Sequence, residues 1–223
     1  MSVKRICLKD RILPDYTKGE EIFNMVTHIV GGGVGVITLI FCILIPAAYG
    51  STLGVLCGLM FGVSMILLYT MSSIYHGLPV GKAKKVFQIL DHCSIYWLIA
   101  GTYTPVLICS VAKNYPFSAY MTFAFVWSLA IVATTLTAID LEKYKAFSMI
   151  CYVGMGWAII FSMKQTYLSL GNNGFMWILL GGLFYTAGVF FFAKKTRYFH
   201  SIFHIFVVLG SLCHSVAVIL YVI

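Results

Sequence analysis

Apolar residues run through this chain in long blocks separated by short polar breaks, a pattern that predicts helices of membrane-spanning length. Seven blocks are legible, at roughly 23–46, 52–76, 87–111, 118–139, 147–168, 174–193 and 200–223. A helix rises 1.5 Å per residue, so about 20 apolar residues cross a bilayer core of about 30 Å, and each block is of that order. The breaks carry Pro, Gly, Asn and Lys, which stop or solvate helices. The fifth block is the weakest, because Lys164 and Gln165 interrupt its end; Lys164 can snorkel to the interface. Residues 1–22 form a polar tail, and 23–223 form one seven-helix membrane domain, with no room for a second.

Charge adds an orientation. The tail holds Lys4, Arg5, Lys9, Arg11 and Lys18, and the second, fourth and sixth breaks hold Lys82, Lys84, Lys85, Lys143, Lys145, Lys194, Lys195 and Arg197. The opposite side has only Lys113 and Lys164. The positive-inside rule then places the N-terminus in the cytoplasm and the C-terminus outside. The net charge of +8 is accounted for by this topology, so nucleic acid is not expected as a partner. The composition, 61% hydrophobic and 10% charged, excludes an ordinary soluble domain, in which about 25% of residues are charged. A multi-pass protein of a plasma membrane, in contact with lipids, is the expectation. The seven cysteines form no CxxC and lie mostly inside apolar blocks, as small buried thiols do. The first block reads as an uncleaved span rather than a secretory signal.

Against this background a few polar side chains at membrane depth stand out. Ser72 and His76 in SSIYH, and His200 and His204 in HSIFH, are each i, i+4 pairs, one turn apart on one helix face. Asp91, at the start of the third span, is the carboxylate inside an apolar run. Ionisable groups at this depth are costly and mark functional sites. The topology brings all five to one level, in the cytoplasmic leaflet, although it was counted without them. Three imidazoles with one position left to water match a catalytic zinc site, whose metal lowers the pKa of a bound water to about 7. Each residue also has a plainer reading. The His200/His204 pair can sit at the lipid interface, and His76 can end its helix before Gly77 and Pro79. Asp91 can act as general base, orient a histidine or pair with Lys84 or Lys85; Ser72 can hold a water or substrate carbonyl, or bond back to its own helix. His28 and His92 favour packing, and His214, about 21 Å from His200 along the helix, is too far to share the metal. Gly31-Gly32-Gly33 and Gly181-Gly182 suit close helix packing. Pro105 predicts a kink in the third span.

The segments SSIYHGLP, ILDHCSIYWLIAGTYTP and HSIFHIFVVLGSLCH together resemble the three motifs of the progestin and adipoQ receptor superfamily, and most closely its bacterial branch, haemolysin III. EEIFNMVTHIVG, around Asn24 and His28, resembles that branch's first span. The resemblance implies a seven-helix fold with the N-terminus inside. It also implies zinc held by His76, His200 and His204, with Ser72 and Asp91 near the metal and its water. Adiponectin receptors of the superfamily are linked to ceramide hydrolysis, which points to a metal-dependent amidase or esterase acting on a lipid. The alternatives are a zinc-stabilised receptor or sensor without catalysis, a cytolysin as the haemolysin label suggests, and a transporter. A G-protein-coupled receptor is disfavoured by the N-in topology. The seventh span has no lysine for a retinal Schiff base.

Overall fold

The computed structural model describes residues 6–194 and 196–223, so Lys4, Arg5 and Lys195 of the charge count lie outside the described residues. The described residues are helical, with no strand among them, and six helical stretches are long and apolar enough to cross a membrane.

Helix α1 (Lys18–Ala48) starts ahead of the first apolar block. Thr17 is its N-cap: the Glu20 backbone N–H donates to Thr17 Oγ1 at 3.3 Å, and Glu20 Oε2 accepts from the Thr17 N–H at 2.8 Å. This reciprocal box, T-K-G-E, satisfies two otherwise orphaned donors and lets the helix form before its apolar residues begin. Helix α2 (Thr52–Gly77) is capped by Ser51 Oγ, which accepts from Gly54 N–H at 3.1 Å. Helix α3 (Lys82–Pro105) also starts early, with its lysines in the first turn. Beyond Pro105 it loosens into a π turn at Val106–Ser110 and a 3-10 turn at Val111–Lys113, where the sequence predicts a kink. Helix α4 (Pro116–Ile139) has Pro116 in its first turn, where the missing N–H costs nothing.

The fifth and sixth apolar blocks are joined where the sequence predicts a break. Helix α5 (Lys145–Gly156), a 3-10 segment (Ala158–Ser162) and helix α6 (Met163–Phe192) form one stretch of 48 residues. The predicted break at 169–173 narrows to a single residue, Gly171, at φ 68° and ψ −179°. Glycine takes this conformation without a Cβ clash, so the chain changes course without a loop. Helix α7 (Phe199–Tyr221) follows a left-handed Tyr198 (φ 60°).

Helix α1 packs between α2 and α7, α6 packs on α7, and α3 packs against α2 and α4. Helix α3 and its continuation are the most enclosed stretch, whereas α1 and α4 present much of their apolar surface outward. A protein that buries polar side chains and exposes rows of Ile, Val, Leu and Phe is organised for a lipid surround. Hydroxyl bonds tie the helices midway: Thr38 Oγ1 donates to Ser215 Oγ (2.9 Å), and Ser211 Oγ lies 2.7 Å from both Tyr69 Oη and Tyr185 Oη.

Candidate metal centre

The end of α2 and the starts of α1, α3 and α7 meet at the end of the bundle that carries the N-terminus. There His76, His200 and His204 each bring a ring nitrogen to within 4.8 Å of the other two. His76 and His204 are buried and His200 is half-buried. The i, i+4 spacing in α7 stacks the second and third rings on one face, and their Nε2 atoms are 3.1 Å apart.

Each of the two buried rings is oriented through its other nitrogen. His76 Nδ1 lies 2.6 Å from Glu21 Oε2, and since a carboxylate only accepts, Nδ1 carries the proton. His204 Nδ1 donates to the backbone carbonyl of Asn24, at 3.3 Å. Both bonds leave Nε2 as the bare lone pair in the neutral imidazole. His76 Nε2 is buried with no hydrogen-bond partner. An orphaned buried acceptor costs about 1–3 kcal/mol, and two closely spaced imidazole nitrogens beside it form the donor set that a tetrahedral divalent cation takes. The residues present therefore fit a metal ion.

Around this cluster the packing is aromatic and polar. Tyr16 stacks on His200 (centroids 5.1 Å apart, 22° between planes), and His28 stacks on His204 (3.6 Å, 11°). Asn24 joins α1 to α7, its Oδ1 accepting from Ser201 Oγ at 2.6 Å. The segment before α1 lies across this end of the bundle. The Ile6 N–H donates to Asp140 Oδ2 (2.9 Å), Lys85 Nζ donates to the Lys9 carbonyl (2.7 Å), and Arg11 Nη2 donates to Gln88 Oε1 (2.7 Å).

The sequence-predicted residues converge. Ser72, Asp91, His200 and His204 line one cavity of about 140 Å³, which runs on past Leu98, Ile99 and Phe203. Its wall is apolar apart from the end at the histidine cluster, His214 farther along α7 and a few hydroxyls. Asp91 is not held by Lys84 or Lys85: Lys84 Nζ binds Glu21 Oε1 (2.9 Å), and Lys85 binds Lys9 as above. Ser72 Oγ is buried and does not bond back to its helix; it lies beside the Asp91 carboxyl. Three histidines assigned to packing, or too distant, also border the cavity. His28 does so through its stack. His92 lies one residue past Asp91, and its 100° offset still reaches the wall of a wide cavity; its Nδ1 donates to the Gln88 carbonyl (2.8 Å). His214 lies outside the metal cluster, as its position along α7 requires, and its Nε2 donates to the Ile178 carbonyl (3.1 Å).

Sequence reasoning missed Glu21 and Tyr16, and the pairing of Asp91 with Lys84 that it held as an alternative gives way to a pair between Lys84 and Glu21. A signal for Glu21 was present: Glu21, Asn24 and His28 are spaced 3 and 4 apart, so a carboxylate shares the α1 face that carries the other two polar residues.

Comparison with known proteins gives a concordant picture. Residues 16–215 match the family described as Haemolysin-III related. The chain is 37% identical over 207 residues to "Hemolysin-3 homolog" of Bacillus subtilis, covering 92% of this chain and 96% of that one. It is 37% identical over 204 residues to "Hemolysin-3" of Bacillus cereus (91% and 92%). The human "Monocyte to macrophage differentiation factor" is 27% identical over 168 residues (71% and 67%). These matches and the apolar helices identify a multi-pass protein of the cell membrane.

Proposed function

Since the chain belongs to the haemolysin-III-related family, we propose that it is a zinc-dependent hydrolase that cleaves an amide or ester bond of a membrane lipid. The observation that carries this reading is a three-histidine cluster of which two members, His200 and His204, border an apolar cavity that Asp91 and Ser72 also line. In this reading the helices cross the membrane seven times, with Gly171 turning the chain between the fifth and sixth crossings. The stretch of 48 residues would extend about 72 Å if straight, over twice a bilayer core. The N-terminus is cytoplasmic, which sets the histidines in the inner leaflet.

His76, His200 and His204 would hold the ion, and three protein ligands leave a position for water or substrate. The bound metal would supply Lewis acidity, polarising the substrate carbonyl and acidifying water. The apolar wall takes the lipid chain and keeps bulk water away from the scissile bond. Ser72 Oγ donates a hydrogen bond to the carbonyl oxygen as negative charge grows on it. Asp91 takes a proton from the attacking water as the C–O bond forms, then passes it to the leaving amine or alcohol as the C–N or C–O bond breaks.

The test is the metal content of the purified protein beside His200→Ala/His204→Ala, by mass spectrometry. About one zinc per chain, absent from the variant, is the expected result and leads to a screen of lipid amides and esters. Folded protein without zinc overturns the reading.

A further inference from the structure

Glu21 and Lys84 touch the histidine cluster from outside the set of predicted ligands. Lys84 Nζ is buried and has four acceptors. It donates to the carbonyls of Tyr75 (2.9 Å), His76 (3.3 Å) and Leu78 (3.0 Å), and it pairs with Glu21 Oε1 at 2.9 Å. The three carbonyls belong to the C-terminal end of α2, which no following helix satisfies, so the ammonium acts as the cap of that helix. The other carboxylate oxygen of Glu21 accepts from His76 Nδ1 at 2.6 Å. Asn24 Nδ2 lies on the same nitrogen at the longer distance of 3.5 Å. One chain of contacts therefore runs Lys84, Glu21, His76, and its first two members grip the same turn of α2: Lys84 its backbone, Glu21 its imidazole.

From this geometry we infer that Glu21 is the positioning residue of the metal centre, and that Lys84 fixes Glu21 in turn. The inference rests on the metal reading above. Glu21 holds the His76 proton on Nδ1, turns Nε2 toward His200 and His204, and makes that nitrogen a better donor to a cation. A carboxylate behind a ligating histidine works in this way in metalloproteins generally. His200 and His204 share one helix, and their spacing is set by α7 alone. His76 comes from another helix, and its ring is free to rotate unless something outside α7 holds it. Lys84 holds Glu21 in a partly buried place where a lone carboxylate would be costly, and it does so with a donor already committed to the end of α2. The sequence separates the three residues by 55 and 8 positions, so the arrangement belongs to the packing of α1, α2 and α3.

The test is zinc affinity by chelator competition on full-length protein in detergent, with Co²⁺ absorption as the signature of ligand geometry. Thermal unfolding of the metal-free forms serves as the control for structure. Glu21→Ala is expected to weaken zinc binding about 10- to 100-fold and to alter the Co²⁺ spectrum. Glu21→Gln keeps an acceptor for Nδ1–H but loses the charge, so it falls between the two, at a loss on the order of fivefold. Lys84→Met weakens binding in the same direction. Unchanged affinity and spectrum in Glu21→Gln and Glu21→Ala, or a fall in metal-free stability with affinity unchanged, overturns the inference. If Glu21→Ala does not fold, Glu21→Gln decides alone. A parent protein that binds no zinc refutes the metal reading itself, an outcome separate from parental binding that Glu21 does not influence.

Discussion

The rings of His28 and His204 lie face to face, with 3.6 Å between centroids and 11° between planes. The first belongs to α1 and the second to α7, and both are buried. His28 has no hydrogen-bond partner on either nitrogen, so its contribution here is the flat surface it presents to a cluster histidine. The edge of Tyr69 packs on its other side, with centroids 5.1 Å apart at 82°. His28→Ala should therefore leave a void on α1 beside His204 and destabilise the protein by on the order of 2 kcal/mol. His28→Phe, which keeps the ring, should lose much less. Thermal unfolding of the two variants in detergent measures the difference; equal losses would mean that the stack contributes nothing.

A second prediction separates two neighbouring glycines that look alike in the sequence. A Cβ on Gly31 would run into the ring of Tyr69, which is fully buried and tied by its hydroxyl to Ser211, so the ring has nowhere to go. A Cβ on Gly33 would meet nothing within 4 Å. Gly31→Ala should destabilise by about 1–3 kcal/mol through overpacking. Gly33→Ala should be neutral or slightly stabilising, because alanine is the better helix former by about 1 kcal/mol. Unfolding midpoints of the two variants compare them directly.

That pair shows where sequence reading stops. The apolar blocks locate the helices, because spanning a bilayer forces about 20 apolar residues into a row. The i, i+4 histidine pair is legible for the same reason: one helix fixes its geometry. His76 with the α7 pair is legible through topology, since helix ends at one membrane level must meet. Contacts between helices depend on rotation and on local caps, and these are not written in hydropathy. Thus the T-K-G-E capping box that starts α1 at Lys18 lies outside the apolar block. The choice of Glu21 over Asp91 as the partner of Lys84 is decided by how α1 docks, and the one-residue turn at Gly171 replaces a break that composition spreads over five residues.

The segment before α1 should come loose in acid. Asp140 follows α4 and is buried, which pushes its carboxyl up. The backbone N–H groups of Ile6, Lys143 and Glu142 and the charge of Arg11 outweigh burial and hold it below the usual carboxylate range. A carboxylate whose folded pKa is depressed contributes stability above its unfolded pKa, about 3.9, and loses it as the pH falls through the folded value. Hydrogen exchange at the amides of residues 6–11, corrected for intrinsic rates, should show protection that falls below about pH 4. Asp140→Asn should show less protection at neutral pH and no such acid step. A step of the same size in Asp140→Asn would assign it to another group.

Asp91 and Ser72 bear on whether the site reacts or merely holds an ion. Neither belongs to the cluster of close ring nitrogens, yet both border the cavity, where the buried Ser72 hydroxyl lies beside the Asp91 carboxyl. Ser72 does not bond back to its helix, whereas its neighbour Ser73 does, Oγ donating to the Tyr69 carbonyl at 2.7 Å. With a proven lipid substrate, Asp91→Asn should keep its zinc and lower kcat by about 10²- to 10⁴-fold, the usual loss when a positioned base is removed. Ser72→Ala should also keep zinc, with a loss in kcat of up to about 10²- to 10³-fold if its hydroxyl meets the developing oxyanion. Retained metal with lost turnover in both variants divides binding from chemistry along the line the geometry draws. Unchanged turnover in Asp91→Asn would remove Asp91 from the reaction and leave the proton transfer to another group.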